Sequence, residues 1–263
     1  MDKIKEEMDI KAYLHRINYS GSLIPIAETL RELQVVHLLT VPFENLSIHS
    51  RQPIILEDEA LFNKIVIQKQ GGFCYELNGL FAALLRELGF NVELLSAQVA
   101  TGEGGFGPDF DHMTLMVALD QRWLVDVGFG DSFREPLLLD NREVQIQGKR
   151  AYRIVEDDSH LLLMERKSGK GWHPQYRFIL KPYNYADFVE MCHYHQTSPK
   201  SHFTQKRICS MATATGRVTL EEKRLITTID DNERRESAVS SKEEYLTLLN
   251  QYFGIKITNF SLY

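Results

Sequence analysis

Apolar residues recur at helical spacing through the first ninety residues of the chain. The clearest repeat lies between Gly71 and Gly89 and consists of Leu77, Leu80, Phe81, Leu84, Leu85 and Leu88. The glycines before this predicted helix allow a tight turn, and Gly89 provides a left-handed C-cap. Cys74 therefore falls at the first turn of the helix.

Three shorter stretches of the same period predict further helices over 9–17, 22–40 and 56–68. Asp9 is a suitable N-cap for the first. In the second, Pro25 falls in the permitted first turn, and Pro42 ends the helix because the residue before a proline is displaced from helical geometry. The first ninety residues thus form a small helical unit.

From Asn91 the period changes to that of strands. The pattern predicts strands over 92–99, 112–119, 123–128, 143–147, 151–155, 161–165 and 176–180. Short strands separated by turn residues indicate an antiparallel sheet or barrel. The glycine-rich loop 101–110 matches neither a phosphate-binding loop nor a dinucleotide fingerprint, so a flexible loop over a site and a plain surface linker are both open.

The last third returns to mixed structure. The sequence predicts a helix over 184–195, a capped turn over 198–203 and a strand over 205–213, followed by a turn at Gly216 into a strand. Ser241 opens a terminal helix with a capping-box pattern. The pattern therefore divides the chain into 1–90, 91–183 and 184–263.

Composition is that of an ordinary globular protein, with 263 residues, 43% of them apolar and 25% charged. No apolar run approaches the roughly 18 residues of a membrane span, and the charged N-terminus lacks the apolar core of a secretory signal. Three widely separated cysteines do not form a disulfide framework, so we expect a cytoplasmic protein. The net charge of −6, without a basic block, argues against a nucleic-acid partner.

Cys74 is the candidate nucleophile. The N–H groups and positive dipole end of a helix N-terminus favour a thiolate. A lone cysteine in a helical pattern is more often structural, but the glycines before Cys74 and the polar Asn78 one turn later favour a reactive role. Cys192 and Cys209 have no such context, and we interpret them as structural.

A cysteine nucleophile usually needs a histidine and a carboxylate or amide that orients it. His112 opens one predicted strand, Asp126 lies in the next, and the turn 120–122 joins the two as a hairpin. Both residues also fit ordinary strand-end roles. No metal site is expected near Cys192, because His193 and His195 would point to different faces of a helix.

Several motifs resemble those of the arylamine N-acetyltransferases. The stretch Gly71-Gly72-Phe73-Cys74, followed by Glu76 and Asn78, is similar to the signature around the nucleophile of that family. The stretches Val41–Leu46 and Val125–Gly130 resemble two further family motifs, and the C-terminal region is represented by Ser201, Phe203, Gly216, Arg217 and Leu220. The resemblance covers nearly the whole chain in order.

The resemblance implies an α+β fold with an N-terminal helical bundle (1–90), a central β-barrel (91–183) and a C-terminal α/β lid (184–263), built around a cysteine-protease-like core. It implies a triad of Cys74, His112 and Asp126. The implied reaction is ping-pong: Cys74 takes an acetyl group from acetyl-CoA as a thioester and passes it to an arylamine, arylhydroxylamine or arylhydrazine. Acetyl-CoA would be a substrate, with no tightly bound cofactor, metal or membrane partner.

Other positions carry over from the family's motifs. Thr101, Gly102, Gly128 and Gly130 match residues near bound CoA. Phe129 matches an aromatic residue of the acceptor pocket, although barrel core is an equal alternative. Phe43 and Phe73 either flank that pocket or pack the helical unit, and we favour packing.

Two departures from the family pattern stand out. Gln70 occupies the usual position of an arginine, which removes a cation expected to pair with a buried carboxylate such as Glu44. We expect either Lys69 to replace it or Glu44 to find neutral donors. The hairpin between His112 and Asp126 is also about one residue shorter than in some members.

The triad alone leaves two other functions open. One is a cysteine hydrolase of the papain or transglutaminase type, and the other is an acyl-CoA or xenobiotic binding protein that has lost turnover. The natural acceptor, the preferred acyl chain and the oligomeric state do not follow from the sequence.

Overall fold

The computed structural model describes residues 8–102, 104–167, 169–230 and 233–257, and the charged N-terminal stretch 1–7 lies outside this part. The first ninety residues are mainly helical, as predicted. They contain α1 (Ile10–Arg16), α2 (Ala27–Thr40), the short strand β1 (Phe43–Glu44), α3 (Leu46–His49), α4 (Asp58–Phe62) with a π-helical turn (Asn63–Ile67), and α5 (Cys74–Glu87).

Local capping explains where α1 and α2 begin. Asp9 Oδ1 accepts the Ala12 N–H at 2.9 Å, which confirms the predicted N-cap of α1. The predicted start of α2 at residue 22 is wrong, because the helix begins at Ala27. Ser22 Oγ instead accepts the Ile24 N–H at 3.2 Å, a local turn that competes with helix.

The central part forms an eight-stranded antiparallel sheet that closes into a near-complete barrel. Its strands in spatial order are β5 (Leu137–Leu138), β4 (Arg122–Val125), β3 (His112–Ala118), β2 (Asn91–Val99), β9 (His173–Tyr183), β8 (His160–Lys167), β7 (Arg150–Asp157) and β6 (Gln145–Gln147). The side-chain amide of Gln145 bridges the two end strands, accepting from the Leu138 N–H at 2.8 Å and donating to the Leu138 carbonyl at 3.0 Å.

A second sheet joins the first and last thirds of the chain. Its strands, in spatial order, are β1, β10 (Ile208–Thr213), β11 (Gly216–Glu221), β12 (Arg224–Ile229) and β13 (Glu233–Ala238). The sequence patterns missed β1, β5, β12 and β13. The pairing of β1 with β10 joins the first and third of the predicted parts in one sheet. The division of the chain at residues 90 and 183 remains a prediction.

The last third also contains helices, and the last of them packs against β10 and β11 of this sheet. A 3₁₀ turn (Tyr185–Phe188) leads into α6 (Val189–Thr197), so the single helix predicted over 184–195 is two elements, and α7 (His202–Gln205) and α8 (Lys242–Phe253) follow. Ser241 Oγ accepts the Glu244 N–H at 3.1 Å and caps α8 as predicted. Within the described ranges, no helix is long and apolar enough to span a membrane.

Helix α5 lies at the centre of the molecule. It packs against α1, α4, β2 and β3, and its side chains are buried from Cys74 through Ala82. Two polar side chains in this run, Glu76 and Asn78, are at most 1% exposed. Buried polar groups require partners, and those partners form the site described next.

Candidate active site

Cys74 is the first residue of α5, as predicted. The Glu76 carboxylate accepts the Phe73 N–H at 3.1 Å, which satisfies one of the backbone donors at this helix end. Cys74 is only 3% exposed, and together with His112 it lines a cavity of about 240 Å³. The cysteine is therefore enclosed but borders a space large enough for a small ligand group.

His112 and Asp126 contact each other across the β3–β4 hairpin. The prediction that Asp126 lies within a strand is wrong by one residue, because β4 ends at Val125. The register pairs Leu115 with Val125, so Asp126 comes opposite Thr114, on the same face as His112. His112 Nε2 donates to Asp126 Oδ2 at 2.7 Å, which leaves Nδ1 as the ring nitrogen available for proton exchange.

Asp126 receives four hydrogen bonds in all. Besides His112, Asn78 Nδ2 and the Gly128 N–H donate to Oδ1, each at 2.9 Å, and the Tyr176 hydroxyl donates to Oδ2 at 3.0 Å. Burial would raise the pKa of the Asp126 carboxyl, but attraction to His112 and hydrogen bonds from His112, Asn78 and Gly128 outweigh it and lower the pKa. Asp126 is thus held as a carboxylate that fixes the His112 ring.

The loop after β4 rests directly on α5. The Val127 N–H donates to Asn78 Oδ1 at 2.9 Å. A Cβ atom at Gly128 would lie 2.7 Å from the Cys74 Cα and 2.7 Å from Asn78 Nδ2, closer than real side chains approach. Only glycine at 128 lets the carboxylate loop come this near to the nucleophile helix.

The electrostatics of Cys74 differ from the sequence expectation. Burial raises the pKa of the Cys74 thiol well above its usual value, a backbone hydrogen bond with Met113 opposes this, and the carboxylates of Asp126 and Asp111 add to the increase. A thiolate therefore has to form by transfer of the thiol proton to a neighbouring base.

Aromatic side chains form much of the cavity wall. Phe43, Phe129 and Phe203 line it, and the Phe129 ring centroid lies 5.1 Å from that of His112. Phe73 is fully buried and packs edge-on against Phe203 and Tyr75 instead. Phe43 and Phe129 are thus placed to contact a ligand, whereas Phe73 packs behind the wall.

The four residues assigned to CoA binding lie in different places. Thr101 and Gly102 are in an exposed turn, where the Thr101 N–H donates to the Gly105 carbonyl at 2.8 Å, and neither lines the cavity. Gly128 does line it, and Gly130 has a positive φ of 89° beside the Phe43 ring. Their assignment to CoA remains a prediction.

Lys64 supplies the cation that Gln70 does not. Its Nζ lies 2.6 Å from Glu76 Oε1 and 3.5 Å from Glu44 Oε1. The expectation that Lys69 pairs with Glu44 is wrong, because the π-helical turn brings Lys64 between the two carboxylates. Glu44 Oε2 also accepts the Leu46 N–H at 2.6 Å, so the alternative of a neutral donor is correct in part.

Three polar residues of the cavity were missed by sequence reasoning. Asp111, His195 and His202 all line it, although His195 had been considered only as an unsuitable metal ligand. The adjacency of Asp111 to His112 was the available signal. Cys192 and Cys209 are buried free thiols, and over the described ranges no cluster of three or more His, Cys, Asp or Glu side chains could hold a metal ion.

A helical unit that presents a cysteine at a helix N-terminus to a His–Asp pair on a barrel defines an enzyme with a cysteine nucleophile. Residues 27–262 match the family model described as N-acetyltransferase. The chain belongs to the arylamine N-acetyltransferase family and is an acyltransferase.

Individual relatives and a solved structure are similar to most of the chain. The chain is 38% identical to the pineal gland isozyme NAT-3 of arylamine N-acetyltransferase from Gallus gallus, over 80% of this chain and 79% of the relative. It is 32% identical to proansamycin X synthase from Amycolatopsis mediterranei, over 92% of this chain and 96% of that relative. The structure of Mycobacterium marinum arylamine N-acetyltransferase in complex with CoA aligns with a TM-score of 0.87 at 29% identity, over 94% of this chain and 93% of that one. This likeness confirms the predicted α+β fold class.

Proposed function

We propose that this protein transfers an acetyl group from acetyl-CoA to the nitrogen of an arylamine, arylhydroxylamine or arylhydrazine through a thioester on Cys74. The observation that carries the proposal is the His112–Asp126 pair, joined at 2.7 Å, in the wall of the same cavity as Cys74. The names of the relatives and the CoA-bound structure of one of them support the acceptor and the donor.

In the first half-reaction, His112 Nδ1 takes the thiol proton of Cys74. The thiolate then attacks the thioester carbonyl of acetyl-CoA, and the carbon–sulfur bond to CoA breaks. His112 returns the proton to the departing CoA thiolate. One thioester replaces another, so the acetyl-enzyme is close in free energy to its precursor.

The oxyanion of this step needs N–H donors. As the first residue of α5, Cys74 carries a backbone N–H that has no partner within the helix. We assign this N–H to the oxyanion.

In the second half-reaction, the acceptor nitrogen attacks the acetyl carbon on Cys74. The nitrogen passes a proton to His112, the bond to the Cys74 sulfur breaks, and the thiolate regains the proton. Aryl amines are neutral near physiological pH, so this step needs little help from a base. The aromatic wall formed by Phe43, Phe129 and Phe203 suits an aryl acceptor.

Intact mass spectrometry after incubation with acetyl-CoA tests the proposal. The wild-type protein should gain one acetyl group, which is lost again when an aryl hydrazine is added, with formation of the acetyl hydrazide. Cys74→Ala should gain none. Cys192→Ala, which removes a buried thiol outside the cavity, should behave like the wild type.

Three outcomes would contradict the proposal. Acetylation of Cys74→Ala at the wild-type rate would remove Cys74 from the mechanism. Peptide cleavage without acetylation would favour a cysteine hydrolase, and binding of CoA without acetylation would favour a protein that has lost turnover.

A further inference from the structure

A second histidine and carboxylate line the cavity that contains Cys74. They are His195, on α6, and Asp111, in the loop just before β3. The His195 side chain is 8% exposed and that of Asp111 is 18% exposed. The chemistry assigned to Cys74, His112 and Asp126 uses neither of them.

The ring of His195 is held in one orientation. Its Nδ1 lies 3.0 Å from Ser201 Oγ, the side chain that caps α7 by accepting the Phe203 N–H at 3.3 Å. The ring stacks on Tyr75 with an interplanar angle of 29° and meets Phe203 edge-on at 5.2 Å. Contacts on three sides leave Nε2 as the ring atom that is free to serve a ligand.

His195 Nε2 is buried without a well-formed hydrogen bond to any described residue. It lies 3.2 Å from Asp111 Oδ1, but not in hydrogen-bonding geometry. Asp111 is itself positioned by its backbone, since its carbonyl accepts the Tyr75 hydroxyl at 3.2 Å. A buried polar atom without a partner is destabilising, so its retention beside a cavity points to a ligand group that satisfies it.

The rest of the cavity wall is largely apolar. Phe43, Val99, Phe129 and Phe203 supply hydrocarbon surface, His112 already donates its Nε2 proton to Asp126, and the third histidine of the wall, His202, is exposed. A carboxylate and an imidazole side by side at one place in such a wall can bind one polar group of a bound ring, the carboxylate accepting its N–H or O–H and the imidazole nitrogen donating or accepting according to its tautomer.

We propose that Asp111 and His195 form the polar end of the subsite for the amine substrate. They bind a second N–H or O–H group of that substrate, apart from the nitrogen that is acetylated. The preferred acceptors are then aryl rings with an additional amino or hydroxyl group, and aryl hydrazines with a second N–H. This inference rests on the proposed function and names the class of acceptor that it favours.

The test compares acceptors that differ in one group. Phenylenediamines carry a second amino group where toluidines carry a methyl group of similar size, and the para and meta isomers of each sample different distances from the reacting nitrogen. The ratio of kcat/KM for the diamine over the toluidine is measured in each variant, which cancels the intrinsic reactivity of the amines. Acetylation of Cys74 by acetyl-CoA is measured separately by intact mass.

Asp111→Ala and His195→Phe each remove one of the two polar groups, and the phenylalanine keeps the ring contacts with Tyr75 and Phe203. Each should lower the diamine preference about tenfold for the isomer that the wild type favours, as expected for loss of a hydrogen bond to a charged or buried group. Asp109→Ala is the control, because Asp109 is exposed two residues earlier and bonds to Gln98 instead of lining the cavity. It should leave the preference unchanged.

An unchanged preference in both variants, with Cys74 still acetylated, would overturn this inference and leave the proposed function intact. Absence of acetyl-Cys74 in the wild type would overturn the proposed function instead. If His195→Phe fails to fold, Asp111→Ala decides alone. A purely structural role for the pair predicts lower stability with the same preference, which also counts against the inference.

Discussion

Replacement of Lys64 tests how the nucleophile helix is held. Lys64 is the cation between two carboxylates that are each 1% exposed, and Glu76 in turn accepts the Phe73 N–H just before Cys74. Lys64→Met keeps most of the aliphatic length and removes the charge. Both carboxylates then lose their common partner inside the protein.

The expected cost follows from the geometry. Removing one partner of a buried ion pair costs about 3–5 kcal/mol, and the Lys64 side chain is 14% exposed, which places this case near the lower bound. Burial, with Glu44 adding to it, already raises the pKa of Glu76 despite the ammonium of Lys64. Without Lys64 that pKa rises further above its value in the unfolded chain. Folding of the variant is then favoured at low pH and loses stability as pH rises through the folded pKa.

Urea unfolding at pH 5 and pH 8, followed by circular dichroism, measures this effect. Lys64→Met should lose about 3 kcal/mol relative to the wild type at pH 8 and less at pH 5. Lys149→Met is the control, because Lys149 pairs at 3.1 Å with Asp230 on the surface, and it should lose at most about 0.5 kcal/mol. A loss below about 1 kcal/mol for Lys64→Met at both pH values would refute the reasoning.

A second substitution asks whether the cation can come from position 70. Gln70 lines a cavity of about 190 Å³ together with Lys64 and Glu76. Gln70→Arg, made in the Lys64→Met protein, should therefore restore part of the lost stability and of the acetylation rate. Gln70→Arg in the wild type should be close to neutral or stabilising. No rescue in the double variant would show that the two positions do not serve the same carboxylates.

Two further predictions concern other buried groups. Tyr176→Phe removes one of the four hydrogen-bond donors to Asp126. It should slow single-turnover acetylation of Cys74 about tenfold with little effect on the KM for acetyl-CoA. An unchanged rate would exclude a positioning role for this hydroxyl. His37 is fully buried, and burial followed by the charge of Arg16 lowers its pKa to about 3. Below about pH 6.5 the unfolded chain therefore binds a proton at His37 that the folded chain does not bind. The free energy of unfolding should fall by about 1.4 kcal/mol for each unit by which the pH is lowered from about 6.5 to about 3. His37→Phe should remove this slope from urea titrations, and an identical slope in the variant would contradict the assignment.

Local sequence patterns predicted the elements whose residues lie near one another in the chain. The α5 helix follows from its own apolar stripe, and the hairpin between His112 and Asp126 follows from two strands joined by a short turn. The β3–β4 register then places the two side chains on one face, as the spacing required. The sequence alone was sufficient to nominate Cys74, His112 and Asp126.

Long-range pairing escaped the same reasoning. The two-residue strand β1 exists because it pairs with β10, more than 160 residues away, and nothing in its own sequence indicates that partner. β13 is exposed throughout and four of its six residues are charged, so it has no apolar alternation to detect. Charges on such an edge strand discourage pairing with other chains. The same charges remove the alternation of apolar residues by which a strand is recognised in the sequence.

The supporting side chains of the site were missed for a related reason. Asn78 follows Cys74 by one turn and could be nominated as a site residue. Tyr176 contacts Asp126, and Lys64 contacts Glu76, in each case from another element of the fold. The π-helical turn that brings Lys64 between Glu44 and Glu76 has no recognised sequence signal. A substitution such as Gln70 can therefore be judged only when the whole set of charges around it is known.

Burial also changes which feature makes Cys74 reactive. A helix N-terminus lowers a thiol pKa and apolar burial raises it; Cys74 is 3% exposed and its pKa is raised. The sulfur thus depends on a base that removes its proton within the cavity. In the proposed mechanism His112 is this base, and Asp126, a carboxylate with a lowered pKa that accepts four hydrogen bonds from described residues, stabilises the resulting imidazolium. The proposed reactivity of Cys74 therefore depends on the hydrogen bonds around Asp126 as well as on the position of Cys74 at the start of α5.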